Sequence, residues 1–548
     1  MQVKSQYLPG SNLDLHVGFK QSSPVMLSLL AALRNTFLML ALAGLCVSAG
    51  LAGPKGAATR GRADHVVLVV WDGMRPDFIT PEYTPNLWRL RSEGVFFSQH
   101  HPVYISSTEV NGTAIATGSY PSHSGIIANS EYLPKVHLLA PVATESLNTI
   151  RRIDALSDGH YLQCPTIAEI LHEANRRTTI AGTKQVTVLA DRVARRDAGK
   201  STMVYLGRTK PSSALAQITA TNGKSFPAAA TPNKARDEWT TDALVKSLWK
   251  DGVPPFSMLW LSEPDASQHD HGPGSTNALA ALASSDNNLG RVLMALETKG
   301  VRSQTDVLVV SDHGFSNIER GVDVADYLNK AGLKATRELD DPEPGDVLVV
   351  GLGGSVLCYV IDHDGPTVKR VVEKLQSSDF AGVIFCREKL PGTFSLAQVK
   401  LDTGRNQPDV VLSLRWRDET NKFGVPGLLT SDKGTKDHGT HASLSRYDMH
   451  NTLVADGPDF RQGYVDPLPS GNIDVHPTVL WILGVKDKGK ADGRVLTEAL
   501  NCGLPEPNAQ RQRLEAEAKA GEKLWHQYLD ISTCDGRVYF DEGNASLR

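Results

Sequence analysis

HVVLVVWDG (65–73) is a run of apolar, mostly β-branched residues that stops at an acid and a glycine. A stretch apolar on every position reads as a strand buried on both faces of a parallel sheet. Two later segments repeat the design, FSMLWLSEPD (256–265) and DVLVVSDHG (306–314). Between these elements lie helical patterns. In TPNLWRLRSEG (84–94), Thr84 is placed to cap, Pro85 suits the first helical position and Gly94 ends the helix. A longer helical stretch runs from about Asn277 to Glu297. Strands alternating with helices predict an α/β protein with a doubly wound, mostly parallel central sheet and helices on both faces. Ligands of such sheets gather at the carboxyl ends of the strands.

Those ends are where the acids fall. Asp72 closes the first strand, Asp265 follows the second, and Asp312 with His313 closes the third. A carboxylate at a buried strand end is costly unless it is paired or bound to a metal. One such Asp is more often a cap or turn residue; three, each beside further ligand types, point to a shared site. Asp265 and His269 are four apart, so they converge on one ion if that segment takes a helical turn. Asp312 and His313 share an ion only in a turn, which Gly314 permits. His441, in DHGTHAS (437–443), supplies a further nitrogen. Histidine nitrogen with carboxylate oxygen is a donor set that suits zinc, other divalent ions being alternatives. Any one of these histidines alone is better read as solvated or as a satisfied core residue.

The rest of the chain bounds the class. Of 548 residues, 22% are charged and 41% apolar, with 61 acidic against 57 basic residues. This is the composition of a globular protein with a sizeable core. The net charge of −4 and the absence of a long basic run exclude nucleic-acid polymers as the main partner. TFLMLALAGLCV (36–47), after Arg34 and before Ser48, Ala49 and Gly50, has the layout of a secretory leader. It is short for a spanning helix, which needs about 20 apolar residues, so export is expected, to the periplasm or the exterior, with membrane anchoring through the leader as the alternative. Residues 1–52 are read as this leader, with Met26 as an alternative start, and 53–64 as a linker. Residues 65–500 form the catalytic body, with cap insertions near 130–250 and 335–430, and 501–548 a helical extension. Cys502 and Cys534 flank that extension and are placed to pair in an oxidising compartment, with two buried thiols as the alternative.

Five strings together resemble the alkaline phosphatase superfamily, and more closely its type I phosphodiesterase and nucleotide pyrophosphatase branch. They are VVWDGMRPD (69–77), STEVNGTAIATGSYPSHSGIIAN (107–129), EPDASQHDHGP (263–273), SDHGF (311–315) and GTHAS (439–443); DVHPTVLWILGV (474–485) adds a sixth. They stand in the family's order. The resemblance implies an alkaline phosphatase-like fold and a two-metal hydrolase of phosphate esters or anhydrides. It implies that Asp72, Thr108, Asp312 and His313 surround one ion and that Asp265, His269 and His441 hold the other. In that branch the nucleophilic threonine stands three residues before an asparagine and nine before a Thr-Gly pair, as Thr108, Asn111 and Thr117-Gly118 do here. Thr108 is thereby implied as the nucleophile of a phosphothreonine intermediate and Asn111 as a donor to phosphate. Glu109 and Val110 depart from the phenylalanine and proline common in nucleotide-cleaving members, which counts against a nucleotide substrate.

Ser106 and Ser107 are competing hydroxyls, and His271 and His438 competing ligands. The nearest rival function is a phosphomonoesterase using the same site. Sulfatases carry a CxPxR string, which is absent here. A noncatalytic envelope protein stabilised by metal is the alternative from another class.

Overall fold

Along His65–Trp71 the side chains alternate, as they must in a strand. Val66, Leu68 and Val70 enter one buried apolar cluster, while Val67, Val69 and Trp71 enter a second on the opposite face of the sheet. This two-sided burial is what a continuous apolar run encodes. A computed structural model describes residues 60–192, 201–404, 407–487, 491–503 and 507–548. The expected leader lies outside the described residues, as does most of the linker. Among the described residues no helix is long and apolar enough to cross a membrane.

The central sheet has nine strands, in the order Tyr464–Asp466, Val95–Phe97, Leu453–Asp456, Thr305–Val310, His65–Trp71, Phe256–Leu261, Thr178–Gly182, Ser201–Tyr205 and Arg208–Lys210. The five strands from Thr305–Val310 to Ser201–Tyr205 run parallel. Leu453–Asp456 and Arg208–Lys210 are antiparallel to their neighbours. The mixed α/β architecture with a mostly parallel sheet is as expected. His65–Trp71 is flanked directly by Thr305–Val310 and Phe256–Leu261, so the ends that carry Asp72, Asp265 and Asp312 are side by side.

The region near 130–250 is not a cap throughout, since it supplies Thr178–Gly182, Ser201–Tyr205 and Arg208–Lys210 to the central sheet. Their threonine and basic content hid them, because strands toward a sheet edge need not be apolar on every position. The region near 335–430 holds a six-stranded sheet running from Ala335–Thr336 to Phe394–Ser395.

The C-terminal segment is not helical. It forms three antiparallel strands, Ala509–Ala520, Lys523–Cys534 and Arg537–Leu547. Ala, Glu, Lys and Leu favour helix on their own, but here tertiary pairing overrides propensity. Trp525, Gln527, Leu529 and Ile531 alternate inward, and Leu514, Ala516 and Ala518 do the same more weakly. Two turns join the strands, at Gly521 (φ +64°) and at Asp535-Gly536 (φ +49° and +77°). The second is the Asp-Gly pair that favours a tight hairpin. These strands seal the six-stranded sheet. Trp525 enters one of its apolar clusters and Leu529 the other, and the Gln527 side chain bonds both backbone groups of Ile384. Cys502 and Cys534 are both buried and unpaired, in separate clusters.

Trp525 is fully buried and its indole N–H donates to Gly392 O at 3.0 Å. Trp525→Ala is expected to cost about 3–5 kcal/mol, seen as a lower midpoint in chemical denaturation. An unchanged midpoint would show that these strands do not seal the sheet.

Candidate active site

Each of the three strand-end acids divides its oxygens in the same way. Asp72 Oδ2 accepts the Trp260 indole N–H at 2.8 Å and lies 3.0 Å from Lys184 Nζ. Asp265 Oδ2 also accepts from Lys184 Nζ at 3.0 Å. Asp312 Oδ1 accepts the backbone N–H groups of Gly73 and His313, both at 3.0 Å. The other oxygen of each, Asp72 Oδ1, Asp265 Oδ1 and Asp312 Oδ2, is buried with no hydrogen-bond partner. The loops are locked together as well, for Asp265 N donates to Asp72 O at 3.0 Å and Gln268 Nε2 to Gly73 O at 2.9 Å. At Gly73 the backbone has φ +70° and a Cβ would meet Phe315 at 2.9 Å and Asp265 at 3.1 Å, so only glycine fits.

The histidines are aimed by their second nitrogen. Nδ1 of His313 bonds Gly314 O at 2.8 Å, that of His441 bonds Ser106 O at 2.9 Å, and that of His269 bonds Gly439 O at 3.1 Å. A carbonyl can only accept, so each ring carries a proton on Nδ1 and turns Nε2 toward the carboxylates; burial opposes charge on His269, but Asp265 outweighs it and raises that imidazole above its ordinary value. His269 Nε2 lies 3.2 Å from Asp265 Oδ1, His441 Nε2 3.8 Å from the same atom, and His313 Nε2 3.4 Å from Asp312 Oδ2 and 3.7 Å from Asp72 Oδ1. Asp265–His271 is the helical turn that the spacing of Asp265 and His269 requires. The structure thus brings together Asp265, His269 and His441 as one group and Asp72, Asp265 and His313 as another, each with donor atoms within 4.8 Å of one another.

Thr108 opens the helix Thr108–Thr117 and is buried, with its hydroxyl 3.3 Å from His313 Nε2. Of the competing hydroxyls, Ser106 is bonded to Ser443 O at 2.9 Å, and Ser107 is the residue before the helix, its hydroxyl buried without a partner. Asn111, expected as a donor to phosphate, has its side chain wholly engaged by protein. Its amide nitrogen donates to the carbonyls of Val103, Ile105 and Ser107, and its Oδ1 accepts from Val103 N and Asn472 Nδ2. With every polar atom engaged it shapes the turn before Thr108. Asn472 Nδ2 also donates to Asp312 O at 2.7 Å, which ties that turn to the Asp312 loop.

Burial dominates the electrostatics. It raises Asp72 well above the usual carboxylate range, with Asp312 adding repulsion, and pushes Asp312 up to about 7. For Asp265 burial also acts upward, but Lys184 and then His269 outweigh it and leave that carboxyl well below the usual range. Burial and the neighbouring His313 and His269 hold His441 well below the ordinary imidazole value. Burial opposes the charge on Lys184, yet Asp265 and Asp72 hold its ammonium well above the usual range. Three unpartnered carboxylate oxygens facing the Nε2 atoms of three histidines fit divalent cations, and zinc suits this donor set. Asp72, Asp265, Asp312, His269, His313, His441 and Thr108 could hold them.

His271 and His438 are set apart from this cluster. They line a neighbouring surface recess of about 520 Å³ with Asp270, Lys422 and Lys436. Two residues escaped the sequence reading. Lys184 follows the strand Thr178–Gly182, and its place at a strand end was the available signal. Asn129 closes the string that contains Thr108, and its Oδ1 accepts the backbone N–H of Glu109 at 3.1 Å.

Residues 66–419 match the family model described as type I phosphodiesterase / nucleotide pyrophosphatase. Bis(5'-adenosyl)-triphosphatase enpp4 of Mus musculus is 23% identical over 441 residues, covering 79% of this chain and 80% of the relative. Venom phosphodiesterase 2 of Crotalus adamanteus is 26% identical over 268 residues, 48% of this chain and 28% of that protein. Murine ectonucleotide pyrophosphatase / phosphodiesterase 5 superposes with a TM-score of 0.56 at 17% identity, covering 80% of this chain and 100% of that one. The last likeness shows a shared fold.

A raised carboxyl must release its proton before it can bind a cation. With Asp312 at about 7, zinc affinity of the metal-stripped protein is expected to fall about ten-fold per pH unit below that point. Without metal, the same group favours the fold only while protonated, so its contribution is lost as pH rises from its unfolded value toward about 7. Calorimetric titration of zinc at graded pH checks the first statement, and a flat profile would remove Asp312 from the cation site.

Proposed function

Because the chain belongs to the type I phosphodiesterase / nucleotide pyrophosphatase family and so is a hydrolase of phosphoric ester bonds, we propose that it cleaves phosphodiesters or nucleotide pyrophosphates through a phosphothreonine at Thr108. Asp72, Thr108, Asp312 and His313 would hold one divalent ion and Asp265, His269 and His441 the other, zinc first among candidates. The observation that carries this reading is the meeting of three unpartnered carboxylate oxygens, three histidine Nε2 atoms and one buried hydroxyl in a single cluster. A purely structural metal site has no use for that hydroxyl.

Once bound, such ions would lower the pKa of the Thr108 hydroxyl and of an attacking water and stabilise charge on the leaving oxygen. Thr108 Oγ1 attacks phosphorus in line, forming the O–P bond as the bond to the leaving oxygen breaks. Water then cleaves the phosphothreonine and restores the hydroxyl. The start of the Thr108–Thr117 helix favours the anionic group through its dipole, the Glu109 N–H being already taken by Asn129. With its Oδ1 on Glu109 N, Asn129 is placed to donate its amide nitrogen to a nonbridging oxygen, in place of Asn111. Lys184 adds a fixed positive charge beside the carboxylates.

The second reading, a phosphomonoesterase, would use the same cation-binding cluster. The relatives named as bis(5'-adenosyl)-triphosphatases suggest an anhydride between nucleotides, while Glu109 beside the nucleophile argues against a stacked base. The leader-like segment 36–52 supports export. A small phosphate ester, rather than a polymer, is the proposed partner.

Thr108→Ala is expected to lower kcat/KM for bis(p-nitrophenyl) phosphate by about 10³-fold or more while leaving the fold intact by circular dichroism. Assays on p-nitrophenyl phosphate and p-nitrophenyl sulfate alongside decide between diester, monoester and sulfate ester. Equal activity in wild type and Thr108→Ala would remove Thr108 from the mechanism.

A further inference from the structure

Ala509–Ala520 is the outer strand of the C-terminal sheet. It pairs on one side with Lys523–Cys534, and among the described residues no strand pairs with its other side. The strand is 12 residues long, and its register with Lys523–Cys534 runs unbroken over all of them. Folded proteins guard such an edge by keeping it short, or with a proline, a bulge or a charge that points inward. AQRQRLEAEAKA has none of these: its inward positions, Gln510, Gln512, Leu514, Ala516, Ala518 and Ala520, are uncharged. Leu514 and Ala516 pack against one apolar cluster of the six-stranded sheet, Ala518 and Ala520 against the other.

The charges lie on the outward face, where Arg511, Arg513, Glu515, Glu517 and Lys519 are all exposed. Charge blocks an edge only where like meets like. Here the first half of the strand is basic and the second acidic, so antiparallel pairing with itself about Leu514 sets Arg511 opposite Glu517 of a second copy and Arg513 opposite its Glu515. The two-fold axis repeats both pairs. Leu514 meets its counterpart, Gln512 faces Ala516, and Lys519 faces Ala509. Both members of every pair are odd-numbered or both even-numbered, so backbone groups that point to the open edge meet each other. Other registers fail. A slide of two residues sets Arg513 against Arg513 or Glu515 against Glu515, a slide of one turns the side chains to the wrong face, and parallel in-register pairing sets each charge against itself. Within the chain Arg513 already makes a contact of this kind, donating from Nε to Asp530 Oδ1 at 2.7 Å and from Nη2 to Oδ2 at 2.6 Å, which uses two of its five N–H donors. Arg511 Nη2 donates to the neutral Gln99 Oε1 at 3.0 Å. Glu515 of a second copy extends the line from Asp530 through Arg513 by one further charge of alternating sign.

We propose that this edge joins two copies of the chain. They pair antiparallel along Ala509–Ala520 about a two-fold axis at Leu514, so that the three C-terminal strands of each copy form one continuous sheet. Main-chain hydrogen bonds hold the pairing, and the matched Arg–Glu charges fix its register and its partner.

The test is sedimentation velocity of the full chain at graded concentration and salt. Wild type is expected to form a dimer that loosens as salt rises. Arg511→Glu with Arg513→Glu sets acid against acid in the matched register, and Glu515→Arg with Glu517→Arg sets base against base. Each double variant alone is expected to raise the dimer dissociation constant about ten-fold or more. Mixed in equal amounts, with one of them fluorescently labelled, the two are expected to form a heterodimer, because each strand then meets the opposite charge; a chain that had failed to fold would not be rescued in this way. The chain with all four substitutions is expected to pair with itself as wild type does. A wild type that stays monomeric at every concentration, which would leave the edge to solvent or to another polypeptide, overturns the proposal. So do charge-reversed chains that dimerise as well as wild type, or an equal mixture that yields no heterodimer.

Discussion

A single ammonium, that of Lys184, lies between two buried carboxylates, and the rest of the site is arranged around it. Asp72 and Asp265 come from adjacent parallel strands, and the backbone bond between them fixes their separation. Two such charges in a poorly solvated pocket repel strongly unless a cation stands between them. Lys184 does so from the Oδ2 side, which leaves both Oδ1 atoms free to face the histidines. The strand order therefore does more than bring acids together. It sorts their oxygens into one set committed to protein and one left for a ligand.

The same division of roles recurs around the other ligands. Each histidine spends Nδ1 on a carbonyl so that Nε2 is presented. Asn111 and Asn472 join the turn before Thr108 to the loop of Asp312. Such a network is worth its burial only when every member is satisfied, and here Asn111 has no atom to spare. Glu109 is the contrary case, a buried acid beside Thr108 with an oxygen that has no partner.

Much of this was legible in the chain. Three apolar strands ending in acids gave the sheet and its functional edge, because two-sided burial leaves a strong pattern. The Asp265–His269 pair was readable because spacing of four has one simple meaning on a helix. Lys184 was not, since its neighbours carry no string and its partners are 112 and 81 residues away in sequence. Asn111 and Asn129 could not be told apart by register alone, because what separates them is the direction of an amide. The C-terminal strands were missed for a different reason. Leu514, Ala516 and Ala518 alternate, but among Glu and Lys residues that pattern is weaker than the helix preference of the same residues.

The way the last three strands close the six-stranded sheet bears on how the chain comes to be folded. Trp525 and Leu529, with Ile531 and Phe540, complete clusters whose other buried members lie between Tyr104 and Met449, far earlier in the chain. Until those strands dock, the earlier strands stand with an uncovered apolar face. Completing the core of that sheet is therefore a long-range event, slow beside the closure of its locally connected parts.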